Sequence, residues 1–214
     1  MSATTIEEYA ENASTLNDLL LDELERYTQT NMLQPRMLSG KVQGRFLSFV
    51  SKLIQPIHVL EIGTYSGYSA LCMAEGLTSN GMLHTIDIND ELEDVHDKFI
   101  KKSRFSRQIH IHYGNALNII PEISLSKWDL VFIDADKSNY LNYYKMVLPN
   151  MNRGGVLIAD NVLWSGKVLD IKERENDRDT KSLHEFNQFV LNDNRVENFL
   201  LPFRDGLMIV RVNN

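Results

Sequence analysis

Cysteine is nearly absent from this chain: Cys72 is the only one in 214 residues. One thiol excludes an intramolecular disulfide framework. With no secretory leader legible at the start, it points to a reducing, cytoplasmic setting. Cys72 lies in the apolar run ALCMA (70–74), where the expected role is a small buried hydrophobe rather than a nucleophile. No apolar run approaches the roughly 20 residues needed to span a bilayer, so no membrane association is expected. A basic excess is missing too: 22 Lys and Arg stand against 29 Asp and Glu, a net charge of -7. That balance disfavours a broad nucleic-acid footprint, although it leaves room for a local basic rim. There is no His–Cys cluster of zinc-site type. The histidines are scattered, and His84, His110 and His112 alternate within strand-like runs as packing or surface residues. Neither an internal repeat nor a low-complexity tract is present. The length fits one domain with a well-buried core.

Hydrophobic periodicity supplies the framework. Ile6, Tyr9, Ala13, Leu16, Leu20, Leu24 and Tyr27 recur at steps of three and four, which predicts one amphipathic helix over the first 30 residues. Its acids, Glu7, Glu8, Glu11, Asp18, Asp22, Glu23 and Glu25, form a solvated face. A second helix is expected over 42–54, closed by Pro56. Beyond it, strands at 57–62, 82–87, 109–113, 129–134 and 156–160 alternate with helical patterns at 68–77, 91–102, 116–123 and 140–151. This alternation predicts an α/β fold, a parallel sheet with helices on both faces and right-handed crossovers. The tail changes character. A helix over 181–191 precedes strand-like runs at 196–201 and 207–212, close enough in sequence to be antiparallel neighbours. The charge-dense interval 167–181 reads as a mobile solvated loop, placed where a lid would sit.

The segment VLEIGTYSGYS (59–69) runs from an apolar strand through a glycine turn into a helix start. Asp87 follows 20 residues after Gly67, at the end of the next apolar run. Strand, glycine loop, helix, strand and terminal acid make a dinucleotide-type geometry. The glycines, however, are spaced GxxxG where a nicotinamide site has GxGxxG. The spacing points to a nucleoside cofactor without a pyrophosphate, S-adenosylmethionine foremost. Gly63 and Gly67 let the backbone approach the ligand. Asp87 suits a bidentate bond to ribose hydroxyls, because a carboxylate offers two acceptors and no donor. Ser69 and the amides at the helix start suit the cofactor's carboxylate. Glu61 either accepts from its ammonium group or braces the turn.

Ligands on open parallel sheets bind beyond the carboxyl ends of the strands. Four such ends carry acids here: Glu61, Asp87, Asp134 with Asp136, and Asp160. Any one of them could be a helix cap; converging at one edge, they read as a site. Asp134, Asp160 and Asn161 are hard oxygen ligands suited to a divalent cation, Mg²⁺ first, with Ca²⁺ or Mn²⁺ as alternatives. Lys137, three residues beyond Asp134, is placed to take a proton from a hydroxyl whose acidity the metal has raised. Trp164 offers an apolar wall to a flat substrate, or packs in the core.

Together these residues resemble the cation-dependent O-methyltransferases, the group of plant caffeoyl-CoA methyltransferases, animal catechol methyltransferases and many small bacterial relatives. The resemblance runs from about Met37 to Val212. It rests on VLEIGTYSGYS (59–69), FIDADKSNY (132–140), GGVLIADNVLW (154–164) and Asp205-Gly206. It implies a Rossmann-like class I methyltransferase fold, a seven-stranded, mostly parallel sheet with an antiparallel last strand. One domain would span 1–214, with a helical arm and cap over 1–55 and the core over 56–214. The resemblance also implies metal binding by Asp134, Asp160 and Asn161, and catalytic roles for Lys137 and Asp134. It places cofactor contacts at Ser39, Glu61, Gly63, Thr64, Ser69, Asp87, Ala116 and Asp136. Trp164, Ser165 and Asp205 fall on the acceptor side; Ser165 stands where plant members place an asparagine near substrate. The interval 167–181 does not resemble the plant loop that shapes an acyl-CoA site. A homodimer is implied, with the N-terminal arm available to its interface.

The expected chemistry is in-line methyl transfer from S-adenosylmethionine to a hydroxyl of a catechol-like or other vicinal-oxygen small molecule. Positioning would supply much of the acceleration, since well-oriented pairs gain roughly 7–11 kcal/mol from proximity. Two other readings stay open. One is a tRNA hydroxyuridine O-methyltransferase, against which the acidic balance weighs. The other is a non-catalytic nucleotide-binding scaffold, against which the intact Asp134, Lys137, Asp160 and Asn161 set weighs.

Overall fold

The structure, a computed structural model, describes residues 5–15, 18–123 and 127–213. Its strands are β1 (His58–Ile62), β2 (Met82–Asp87), β3 (Ile109–Tyr113), β4 (Trp128–Ile133), β5 (Met151–Ala159), β6 (Val196–Leu201) and β7 (Leu207–Val212). The α-helices are α1 (Ile6–Asn12), α2 (Leu19–Asn31), α3 (Lys41–Ile54), α4 (Tyr68–Ala74), α5 (Glu93–Phe99), α6 (Ala116–Ile119), α7 (Tyr140–Val147), α8 (Ile171–Asn176) and α9 (Arg178–Leu191). The strands form a seven-stranded sheet in the order β3-β2-β1-β4-β5-β7-β6. Pairs β2–β3, β1–β4 and β4–β5 are parallel, whereas β7 runs antiparallel to both β5 and β6. The expected insertion of an antiparallel last strand is therefore present. Leu130, Val131, Phe132 and Ile133 of β4 are all fully buried, as a near-continuous apolar run in a parallel sheet requires.

Two compact units can be distinguished: Met1–Ile57 with Thr64–Tyr113, and His58–Gly63 with Gly114–Asn214. In the first, α3 and α4 approach so closely at Gly44 that a Cβ there would stand 2.7 Å from Tyr68 Cε1 and 2.9 Å from Cys72 Sγ. Cys72 is fully buried, a small packing residue as expected. Glu75, just beyond α4, accepts from Arg45 at 2.6 Å, Ser48 at 2.8 Å and Lys52 at 2.5 Å, which ties the two helices together. His84, His110 and His112 lie on β2 and β3; the His84 ring stacks on both others.

Two expectations need correction. The first helix is in fact two. Thr5 and Glu8 close a capping box at the start of α1. Asp18 takes an extended backbone and accepts from the Leu20 amide at 3.1 Å, so a new helix starts there. Of the periodic positions, Leu16 lies outside the described residues. The interval 167–181 is helical rather than a loop. Asp170 accepts from the Lys172 amide at 2.8 Å and Asp177 from the Thr180 amide at 3.3 Å, capping α8 and α9. Charge density hid these caps, since Asp at a helix start reads as an ordinary solvated acid. Smaller shifts occur at element ends. The helix expected over 140–151 stops at Val147, where Pro149 falls in a 3₁₀ turn (Leu148–Asn150). Strand β5 begins earlier than 156, at Met151, with its register against β4 shifting between Trp128 and Leu130. Among the described residues, no helix is long and apolar enough to cross a membrane.

Candidate active site

In the second unit, backbone pairing continues one residue past β4 and β5. The Asp134 amide donates to the Ile62 carbonyl at 2.8 Å, and the Asp160 amide to the Ile133 carbonyl at 2.9 Å. Gly63, Asp134 and Asp160 are thereby set side by side at the carboxyl edge of the sheet. Gly63 has φ +104°, and a Cβ there would lie 1.9 Å from the Asp134 carbonyl oxygen, so only glycine fits. Glu61, one residue earlier in β1 than Ile62, is fully buried.

Lys137 gathers this row. Its Nζ donates to Asp134 Oδ1 at 2.9 Å, Asn161 Oδ1 at 2.8 Å and the Tyr140 hydroxyl at 2.7 Å. Tyr140 in turn donates to the Asp160 carbonyl at 2.9 Å. Asp160 is buried, and its Oδ1 accepts from the Asn161 amide at 2.6 Å. Burial and the nearby Asp134 and Asp160 raise the Tyr140 hydroxyl well above its ordinary pKa, so it stays a neutral donor. Two of the three candidate metal ligands thus already share one cation, the lysine ammonium. The donor set, two carboxylates and an amide oxygen, fits a hard divalent ion. Among the described residues, no three His, Cys, Asp or Glu side chains group as a metal site.

The turn after β5 is strained and braced. Asn161, Trp164 and Ser165 have φ of 59°, 50° and 52°, unusual for residues with side chains. Asp205 holds the turn: its carboxylate accepts from the Ser165 amide and its carbonyl from the Leu163 amide at 2.9 Å. Asn187 of α9 donates to the Val162 carbonyl at 2.9 Å. The Trp164 ring consequently stands over the Lys137 ammonium, 5.9 Å from its centroid. Asp136 is oriented by the Tyr143 hydroxyl and by Asn139 Nδ2, the latter at 2.6 Å. Ala116 opens α6, behind Asn115, which caps it.

In the first unit, Asp87 ends β2 with both oxygens engaged. Oδ2 accepts from the Tyr65 amide at 2.7 Å and Oδ1 from the Asn89 amide at 2.9 Å. Thr64 is buried with its hydroxyl 2.5 Å from that of Thr85. Ser69 lies buried in the first turn of α4, and Ser39 is buried in the approach to α3. Sequence reasoning missed Tyr140, Tyr65 and His96. For His96 a signal existed: it lies between Val95 and Phe99 on the buried side of α5, an odd place for an imidazole without a task.

Comparisons with known proteins identify the family. The O-methyltransferase family profile matches residues 10–213. The caffeoyl-CoA O-methyltransferase of Medicago sativa is 35% identical, across 82% of this chain and 74% of its own length. An Arabidopsis thaliana caffeoyl-CoA O-methyltransferase is 34% identical, across 82% and 71%. Among solved structures, an O-methyltransferase from Bacillus cereus in complex with S-adenosylhomocysteine (SAH) superposes with a TM-score of 0.89 at 27% identity, covering 97% of both chains. The SAH-bound methyltransferase PaMTH1 of Podospora anserina gives 0.88 at 26%, covering 98% of this chain and 94% of its own. On the family profile and these relatives, the chain belongs to the O-methyltransferase family and is an enzyme that transfers methyl groups to oxygen.

Proposed function

We propose that the protein uses S-adenosylmethionine and a divalent cation, Mg²⁺ first, to methylate a hydroxyl of a catechol-like or other vicinal-oxygen small molecule. The supporting observation is the cation already shared by Asp134 and Asn161 beside buried Asp160. Asp134, Asp160 and Asn161 would hold the metal, which supplies Lewis acidity toward an acceptor oxygen. Cofactor contacts are proposed at Ser39, Thr64, Ser69 and Asp87 in the first unit and at Glu61, Gly63, Ala116 and Asp136 in the second. As the acceptor oxygen attacks in line, the new C–O bond forms, the C–S bond breaks and SAH leaves. Lys137 Nζ, in its neutral amine form, would accept or relay the hydroxyl proton. Trp164, over the lysine, walls a flat ring, and Asp205 fixes that wall through Ser165. The caffeoyl group in the relatives' names carries two adjacent aromatic hydroxyls, which agrees with this acceptor class. A homodimer is also proposed, with Ile6, Tyr9 and Leu19 of the arm exposed for its interface.

The test is methylation of a catechol probe before and after EDTA treatment. Activity should vanish with chelation and return with Mg²⁺; full activity in EDTA would sink the metal-dependent reading. One observation favours a second reading, tRNA as acceptor: Lys101, Lys102, Arg104 and Arg107 are exposed within one short segment. Retention by tRNA with a steep salt slope would support it.

A further inference from the structure

We propose that His96 is a positioning residue for the cofactor's ribose, acting through the backbone of Tyr65 on the carboxylate of Asp87. This rests on the reading of Asp87 as the ribose-binding acid. Tyr65 sits inside the GxxxG turn at φ +46°, a conformation costly for a bulky residue. Three bonds hold it there. Its amide donates to Asp87 Oδ2 at 2.7 Å, its carbonyl accepts from His96 Nε2 at 2.7 Å, and its hydroxyl donates to the Gln34 carbonyl at 2.9 Å.

The tautomer of His96 follows from its partners. A carbonyl only accepts, so Nε2 carries the ring proton. Nδ1 then accepts from the Tyr113 hydroxyl, 2.8 Å away at the end of β3. The two rings stack, with centroids 5.8 Å apart. His96 is fully buried, and that burial pushes its pKa below the ordinary value, so the neutral ring is the working form. The turn also seats directly on this region: a Cβ at Gly67 would come within 2.6 Å of Ile100 Cδ1.

The consequence falls on Asp87. Each of its oxygens accepts one backbone amide, which stops the carboxylate rotating and leaves a lone pair on each oxygen for a diol. Without the His96 bond, the Tyr65 peptide relaxes out of its left-handed conformation. Its amide then turns away from Asp87, and the carboxylate loses its set orientation.

Calorimetric titration with SAH and with its 2′,3′-dideoxy analogue tests this in the wild type, His96→Leu, His96→Gln and Tyr113→Phe. His96→Leu should weaken SAH about tenfold while changing the dideoxy analogue by less than about twofold. His96→Gln, whose amide can reach the Tyr65 carbonyl, should recover most of the loss. Tyr113→Phe should show a smaller loss with the same dependence on the ribose hydroxyls. Equal weakening of both ligands, or none of either, would overturn the positioning role. Should His96→Leu fail to fold, His96→Gln and Tyr113→Phe decide by the same comparison. A wild type that does not bind SAH at all would instead overturn the cofactor reading, and the role of His96 with it.

Discussion

At Gly63 the absence of one methyl group sets the spacing of two strand ends. A Cβ would overlap the Asp134 carbonyl at 1.9 Å, at a φ of +104° that side chains rarely adopt. Gly63→Ala should therefore cost at least ~2 kcal/mol, read as a lowered midpoint in denaturant, and should displace Asp134. The two polar roles around it are separable. Asp160→Ala should weaken Mn²⁺ binding, measured calorimetrically, by well over about tenfold, because a buried carboxylate leaves the set. Lys137→Met should leave SAH affinity near wild type yet lower kcat by about 10²–10⁴-fold, since its proposed work is on the proton. Loss of SAH binding in Lys137→Met would show that the lysine supports the fold of the site rather than its chemistry. These residue types were legible in the sequence; the bridging of Asp134 and Asn161 by Lys137 was not, because it depends on how far β5 extends beside β4.

At the scale of elements, the glycine turn is steadied by its flanking helix, and that helix by α3. Burial alone would raise the Glu75 carboxyl, but hydrogen bonds from Arg45, Lys52 and Ser48 outweigh it and hold the pKa at about 2. A carboxylate whose pKa is depressed on folding adds stability that is fully present above its unfolded value, about 4.5, and is lost as pH falls toward 2. Denaturant unfolding between pH 6 and pH 2 should thus show an acid limb that Glu75→Gln flattens. A parallel limb in the variant would assign the acid sensitivity elsewhere. The segment 167–181 teaches a different lesson. Its composition matched a solvated loop, yet Asp170 and Asp177 each spend a carboxylate on a helix amide. Capping is a matter of backbone conformation at one residue, which composition does not reveal. The Thr180 hydroxyl, and further out Lys167 and Trp164, hold Asp177's carboxyl below its usual range, and α9 begins against the turn that carries Trp164 and Lys167.

For the molecule as a whole, ligand linkage gives the broadest check. A cofactor that binds only the folded chain adds about 2.7 kcal/mol at a hundred times its Kd. For a chain of this size that corresponds to a rise of roughly 5–11 °C in Tm. SAH should produce that shift and adenosine alone a smaller one; no shift with either would count against the nucleoside site. A sedimentation mass of twice 24.6 kDa would support the proposed dimer, and a monomer at all concentrations would remove it.

The sequence by itself determined the alternation of strands and helices, the GxxxG turn, and the acids at the strand ends. Each is written within a few consecutive residues, where side-chain periodicity and backbone freedom act locally. The tertiary structure alone decided which of those acids meet, that Tyr140 links Lys137 to the Asp160 backbone, that Asp205 braces the turn at Ser165 from 40 residues away, and that His96 holds Tyr65. Those contacts depend on strand register and on which helix face turns inward. A hydrogen bond is made or lost within a few tenths of an ångström, and that distance is fixed only when the sheet has closed.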